Sequence, residues 1–184
     1  MIISVVLIAL ILLAGLWFMV TYNSLVSLRM RVKNAWSQID VQLKRRHDLI
    51  PNLVETAKGY IAHERQTLES VIKARQQAID AQSLLDKAQA ENFLSSTLRS
   101  LFAVVENYPN LKANQNMLAL QEELTTTENK ISFARQYYND ETMRYNTSLQ
   151  TFPTNYVANM FNFIKEDFFQ LEDTSEKQAP QVKF

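Results

Sequence analysis

Leu25 to Ile79 reads LVSLRMRVKNAWSQIDVQLKRRHDLIPNLVETAKGYIAHERQTLESVIKARQQAI, and its reading decides the fold. At about 100° per residue, one face collects Leu25, Leu28, Val32, Ala35, Trp36, Ile39, Leu43, Ile50, Leu53, Val54, Ala57, Ile61, Leu68, Val71, Ile72 and Ile79. Steps of three and four residues describe a coiled-coil or long-bundle seam, and no strand alternation fits. As one helix the stretch would reach roughly 80 Å at ~1.5 Å per residue. A helix of that length needs other segments to cover its seam. Pro51 removes one backbone donor and crowds the preceding turn, and because the seam resumes in phase after it, a kink rather than a break is expected.

Upstream, Met1 to Val20 is MIISVVLIALILLAGLWFMV, without a charge, and the first charged side chain is Arg29. Such a run is long enough to span a bilayer. It has neither the basic start nor the small-residue cleavage site of a signal peptide, so residues 1–22 read as an uncleaved anchor. Trp17 and Tyr22 sit where an interfacial aromatic belt would lie. Arg29, Arg31, Lys33, Lys44, Arg45 and Arg46 follow the span and no basic residue precedes it, which predicts the amino end outside and residues 23–172 in the cytoplasm, held at the cytoplasmic (inner) membrane.

Downstream, Ser83 and Asp86 resemble a capping box opening a second helix with Leu84, Ala88, Phe93, Leu94, Leu98, Leu101, Phe102 and Val105 on its apolar face. The cluster Asn107-Tyr108-Pro109-Asn110 is a turn. A third helix is expected from between Leu111 and Asn114 to about Gln150, with its seam at Met117, Leu120, Leu124, Ile131, Tyr138, Thr142, Tyr145 and Leu149. After Phe152-Pro153 the pattern predicts a final amphipathic helix over 154–171, and a polar, disordered tail over 173–184.

Two glycines and four prolines in 184 residues disfavour sheets and glycine-rich phosphate loops, so the fold class is all-α: an N-terminal transmembrane helix continuing into a long-helix antiparallel bundle. No cysteine is present, which removes disulfides and thiolate chemistry. His47 and His63 lie too far apart for one helix to present both to a metal, and position 67 is threonine, so His63-Glu64 does not extend to a zinc-protease motif. No Walker loop or nucleophile elbow occurs. The expectation is therefore no enzyme, no cofactor and no metal site. The basic cluster is explained by anionic headgroups at the membrane surface, which leaves no need for nucleic acid.

Arg46 and Glu64 interrupt the main seam, and Arg135 borders that of the third helix. Long side chains at a seam edge can snorkel into water. The sharper reading makes these three a polar seam that fixes register between helices or subunits. Leu118, Phe133 and Tyr137 form a second apolar stripe on the third helix, and Phe161, Phe163, Phe168 and Phe169 add aromatic surface beyond it. Together they are candidate interface residues of a homo-oligomer.

The stretch RVKNAWSQIDVQLKRRHDLIPNLVETAKGYIAHE, Arg31 to Glu64, resembles the signature of the LemA family. Asn107 to Ile131, the run ARQYYND at Ala134 to Asp140, and Tyr145-Asn146 followed by Phe152-Pro153 are similar to further parts of its pattern. The resemblance implies a bacterial-type, single-span membrane protein with a cytoplasmic helical bundle and no defined activity. Residues and resemblance together point to a self-associating membrane scaffold or adaptor. The second class is a non-catalytic accessory that works with a membrane-protein partner, regulating a membrane enzyme in signalling or envelope quality control.

Overall fold

The computed structural model describes residues 2–61 and 63–169, all helix, turn and irregular connection, with no strand among them. Six helices follow in order: α1 (Ile2–Lys58), α2 (Arg65–Asp80), α3 (Leu84–Glu106), α4 (Pro109–Lys112), α5 (Gln115–Gln150) and α6 (Thr154–Met160). The chain falls into two compact units. One joins Met1–Asp40 to Ser132–Phe168, and the other is built on Val41–Ile131.

In the second unit the long helices run up and down. Arg75 on α2 reaches back to His47 on α1, while Arg46 of α1 meets Glu91 of α3 and, beyond the ends of these two helices, Glu64 meets Tyr108, so α3 runs alongside α1. The chain returns past Tyr60 at Asn114, just before α5, and then past Arg45 at Glu123 of α5. Ile50, Leu53, Ala57, Ile61, Val71, Leu94, Leu101, Leu111 and Met117 form the core of this four-helix arrangement. Their removal from water, at ~25 cal/mol per Å² of apolar surface, is what holds the amphipathic helices together.

The seam of the long stretch does not belong to one helix. α1 passes through Pro51 without a break and ends at Lys58. There the bonding tightens, with both Tyr60 N–H and Ile61 N–H donating to the Ala57 carbonyl. Gly59, the weakest helix former of the region, stands at the change. Ile61 is fully buried beneath the turn, which keeps the apolar spacing intact while the chain reverses. Beyond it α2 sets its own phase: Leu68, Val71, Ala74 and Ala78 face inward, and Ile72 and Ile79 are exposed.

α3 opens as its sequence suggests, with the Ser83 hydroxyl accepting the Asp86 N–H at 3.0 Å. Phe93, however, lies outside, because the buried row is Ala88, Glu91, Leu94, Leu98, Leu101 and Val105. α5 buries Met117, Leu124, Ile131, Tyr138, Thr142, Tyr145 and Leu149 along its expected seam.

In the first unit, Leu25, Val32, Ala35 and Ile39 of α1 are buried, and Trp36 meets Tyr138 of α5 edge-on at 5.6 Å. The expected final helix is only two turns long. Phe163 N–H donates to the Ala158 carbonyl and Asn162 N–H to that of Asn159, with Asn162 at φ 53°. This is the Schellman closure, which needs a left-handed residue that asparagine tolerates. The chain then continues without helix, strand or turn from Phe163 to Phe169. The tail expected over 173–184 lies outside the described residues.

Candidate functional site

Two arrangements use side chains for more than core packing. The first, in the second unit, centres on Arg46. It occupies a seam position between Leu43 and Ile50, and its side chain is 1 % exposed. The α1 seam thus drives a guanidinium into the bundle, and α3 meets it with Glu91, whose side chain is 0 % exposed. Arg46 Nη2 donates to both a carboxylate oxygen and the main-chain carbonyl of Glu91. Its Nη1 donates to the Ser95 hydroxyl at 2.9 Å and to Glu128 on α5. Ser95 in turn donates to Glu128 at 3.1 Å. His47 Nε2 lies 2.8 Å from the other Glu91 oxygen.

Burial by itself would push the Glu91 carboxyl up. The hydrogen bond from His47 and the charge of Arg46 outweigh it and hold the group below its usual range. One arginine therefore ties three helices through two carboxylates, and charge-assisted bonds of this fork geometry fix position as well as energy. Glu128 is 43 % exposed and forms one wall of an open cleft of about 200 Å³, shared with Ser95, Arg99, Phe102 and Leu124.

The second arrangement, in the first unit, clasps the segment after α6 against α5. Tyr145 Oη donates to the Ile164 carbonyl at 3.0 Å, and Tyr138 Oη to that of Asp167 at 2.9 Å. Asn146 does both jobs for Glu166: Nδ2 donates to its carbonyl at 2.8 Å, and Oδ1 accepts its N–H at 3.0 Å. Burial raises the tyrosine pKa at both Tyr138 and Tyr145, so each hydroxyl stays a donor.

The other residues singled out from the sequence are scattered. Glu64 lies at the α1–α2 turn and accepts from Tyr108 at 3.3 Å. Arg135 is buried on α5. Leu118, Phe133 and Tyr137 are exposed, Phe133 at 72 %. Phe161 and Phe168 are exposed as well. Phe169 is 2 % exposed. Sequence reasoning missed Glu91, Ser95 and Glu128. Glu91 carried a signal, since it sits three residues after Ala88 and three before Leu94, in the apolar row of α3. No group of three or more His, Cys, Asp or Glu able to hold a metal occurs among the described residues.

The LemA family model matches residues 35–184. The chain is similar to Magnetosome protein MamQ 2 of Paramagnetospirillum magneticum, 23% identical over 81% of this chain and 64% of that protein. It is also similar to Protein LemA of Metamycoplasma hominis, 26% identical over 82% of this chain and 69% of that one. Magnetosome protein MamQ of Magnetospirillum gryphiswaldense is 21% identical over 88% and 70% respectively. The chain spans under two thirds of the length of the first of these relatives.

Proposed function

Because the chain belongs to the LemA family, we propose that it is a single-pass, membrane-anchored helical scaffold or adaptor that works by association rather than by catalysis. The observation that carries this reading is the division of α1. Its apolar window, with a mean hydropathy of 2.9, is 0% buried, and the same helix then buries Leu25, Ile39, Arg46 and Leu53 in protein. An apolar surface of that length with no protein cover suits a bilayer. The basic residues that follow favour the amino end outside and the bundle inside the cell. The exposed Phe133 and Tyr137 supply a face for a second copy.

Co-purification of the full chain from detergent tests the reading. A scaffold of this kind brings chiefly itself, as an assembly that Phe133→Glu with Tyr137→Glu reduces while leaving the fold intact. A stoichiometric partner with a monomeric chain would favour the accessory role instead. A reporter active only outside the cytoplasm, fused after Phe184, should stay silent. Strong activity there overturns the orientation.

A further inference from the structure

From Tyr145 to Ile164 the chain carries no charged residue, and within this run Phe152, Tyr156, Met160 and Ile164 are all strongly exposed. α6 buries Val157 and Ala158 and turns Tyr156 and Met160 outward, so apolar side chains stand on its exposed side as well as its buried one. Ordinary solvated helices place charge on such a face.

The location of this surface is fixed by ring contacts in the same unit. Phe161 lies 4.7 Å from Tyr22 and 5.8 Å from Phe18, and Phe163 lies 5.9 Å from Tyr22. Phe18 and Tyr22 belong to the C-terminal end of the apolar stretch of α1. A hydrocarbon core ~30 Å thick takes about 20 helical residues. The apolar run gives way to Thr21-Tyr22-Asn23-Ser24 after Val20, so its end lies between Phe18 and Tyr22. The uncharged, aromatic segment is therefore level with the boundary between acyl chains and headgroups, where tyrosine rings are favoured and phenylalanine serves on the apolar face of interfacial segments.

We propose that residues 152–164 form a second membrane contact, lying in the bilayer interface beside the span and seating Phe152, Tyr156, Met160 and Ile164 among headgroups and upper acyl chains. The inference rests on the reading that the start of α1 crosses the bilayer. The occupant is the lipid surface rather than another protein, because the patch continues the apolar surface of the span itself. The run is bordered by Arg144, which pairs with Glu141 at 3.2 Å, and by Lys165, which is followed by Glu166 and Asp167, so binding comes from apolar burial and is indifferent to lipid charge. The Schellman turn at Asn162 and the clasp on α5 hold the segment at this level from the protein side.

The full chain, which has no cysteine of its own, accepts a single environment-sensitive fluorophore at Met160→Cys or Ile164→Cys. Val6→Cys in the span and Ser96→Cys on exposed α3 serve as references. In phosphatidylcholine nanodiscs, shallow spin-labelled lipid should quench the labels at 160 and 164 several-fold more than aqueous iodide does, equally at low and high salt. The Ser96 label should show the reverse, and the Val6 label should respond to deep spin-labelled lipid. Iodide quenching at 160 and 164 equal to that at Ser96 overturns the proposal. So does protection from both quenchers, which would mean that another protein surface covers the patch. If Val6 responds to lipid and 160 and 164 do not, the second contact alone fails. If Val6 does not respond, the spanning reading fails and takes the second contact with it.

Discussion

Arg75 donates its Nε–H at 2.7 Å to the main-chain carbonyl of His47, the oxygen four residues before Pro51. In an uninterrupted helix that oxygen would accept the N–H of residue 51, and proline has none. The guanidinium on α2 thus occupies the acceptor that the proline leaves open, and α1 continues to Lys58 without a break. Arg75→Ala should destabilise the full chain by about 1–3 kcal/mol, the cost of leaving a partly buried acceptor without its charged donor. In a Pro51→Ala background, where residue 51 regains its N–H, the same substitution should cost clearly less. Chemical denaturation of the four proteins of this cycle in detergent gives the coupling directly, and equal costs in both backgrounds would refute the link.

The Arg46 network makes a larger claim on stability. Arg46→Ala leaves the buried Glu91 with His47 alone against it, and breaking one side of such a pair costs roughly 3–5 kcal/mol. Arg46→Met should be nearly as costly, since it fills the space but not the charge. Arg46→Met combined with Glu91→Leu removes both charges and should recover most of the loss in denaturant midpoint. An Arg46→Ala protein as stable as its parent would show that the guanidinium is not buried in solution.

Acid should act through Glu91. Its carboxyl is held below the ordinary value of 4.5, so the unfolded chain takes up a proton there before the folded one does. The stabilisation is complete above the unfolded value and is lost as pH falls from about 4.5 through the lower folded value. Glu91→Gln should be less stable than the parent at neutral pH and should flatten that part of the acid limb. A stability profile of the variant that parallels the parent throughout the acid range would count against the ion pair.

For the segment after α6, Asn146→Ala removes both bonds to Glu166 and Asn162→Val places a branched residue at positive φ. Each should loosen residues 163–169 locally while leaving the helical circular dichroism intact. Trypsin cleavage after Lys165 should become several-fold faster than in the parent, and Asn162→Gly should remain close to the parent. Unchanged cleavage in Asn146→Ala would show that the clasp does not hold the segment.

Much of the helical architecture was legible because apolar spacing reports burial directly. Met117, Leu124, Ile131, Tyr138 and Tyr145 lie inside as their spacing requires, and Ser83 caps α3 through Asp86. Periodicity fails where the chain turns without losing phase. Ile61 fills the core under the α1–α2 turn, so the sequence shows one seam where there are two helices. It fails again after α6, because five phenylalanines between Phe152 and Phe169 suit an amphipathic helix by composition, while a single left-handed backbone at Asn162 ends it. Arg46 was conspicuous as a charge in an apolar row, but its partners are 45 and 82 residues away in sequence, a distance over which local pattern carries no pairing information.

The clasp on α5 has one more property. Every bond it makes, from Tyr138, Tyr145 and Asn146, ends on a main-chain atom of residues 164 to 167. The clasp therefore specifies the path and direction of the segment and is blind to its letters. The side chains of Lys165, Glu166 and Asp167 are free to drift through evolution or to be rewritten by design, provided that residue 166 keeps its N–H. Three α5 side chains work here as a template for an arbitrary peptide, and proline at 166 is the one substitution that the template cannot accept.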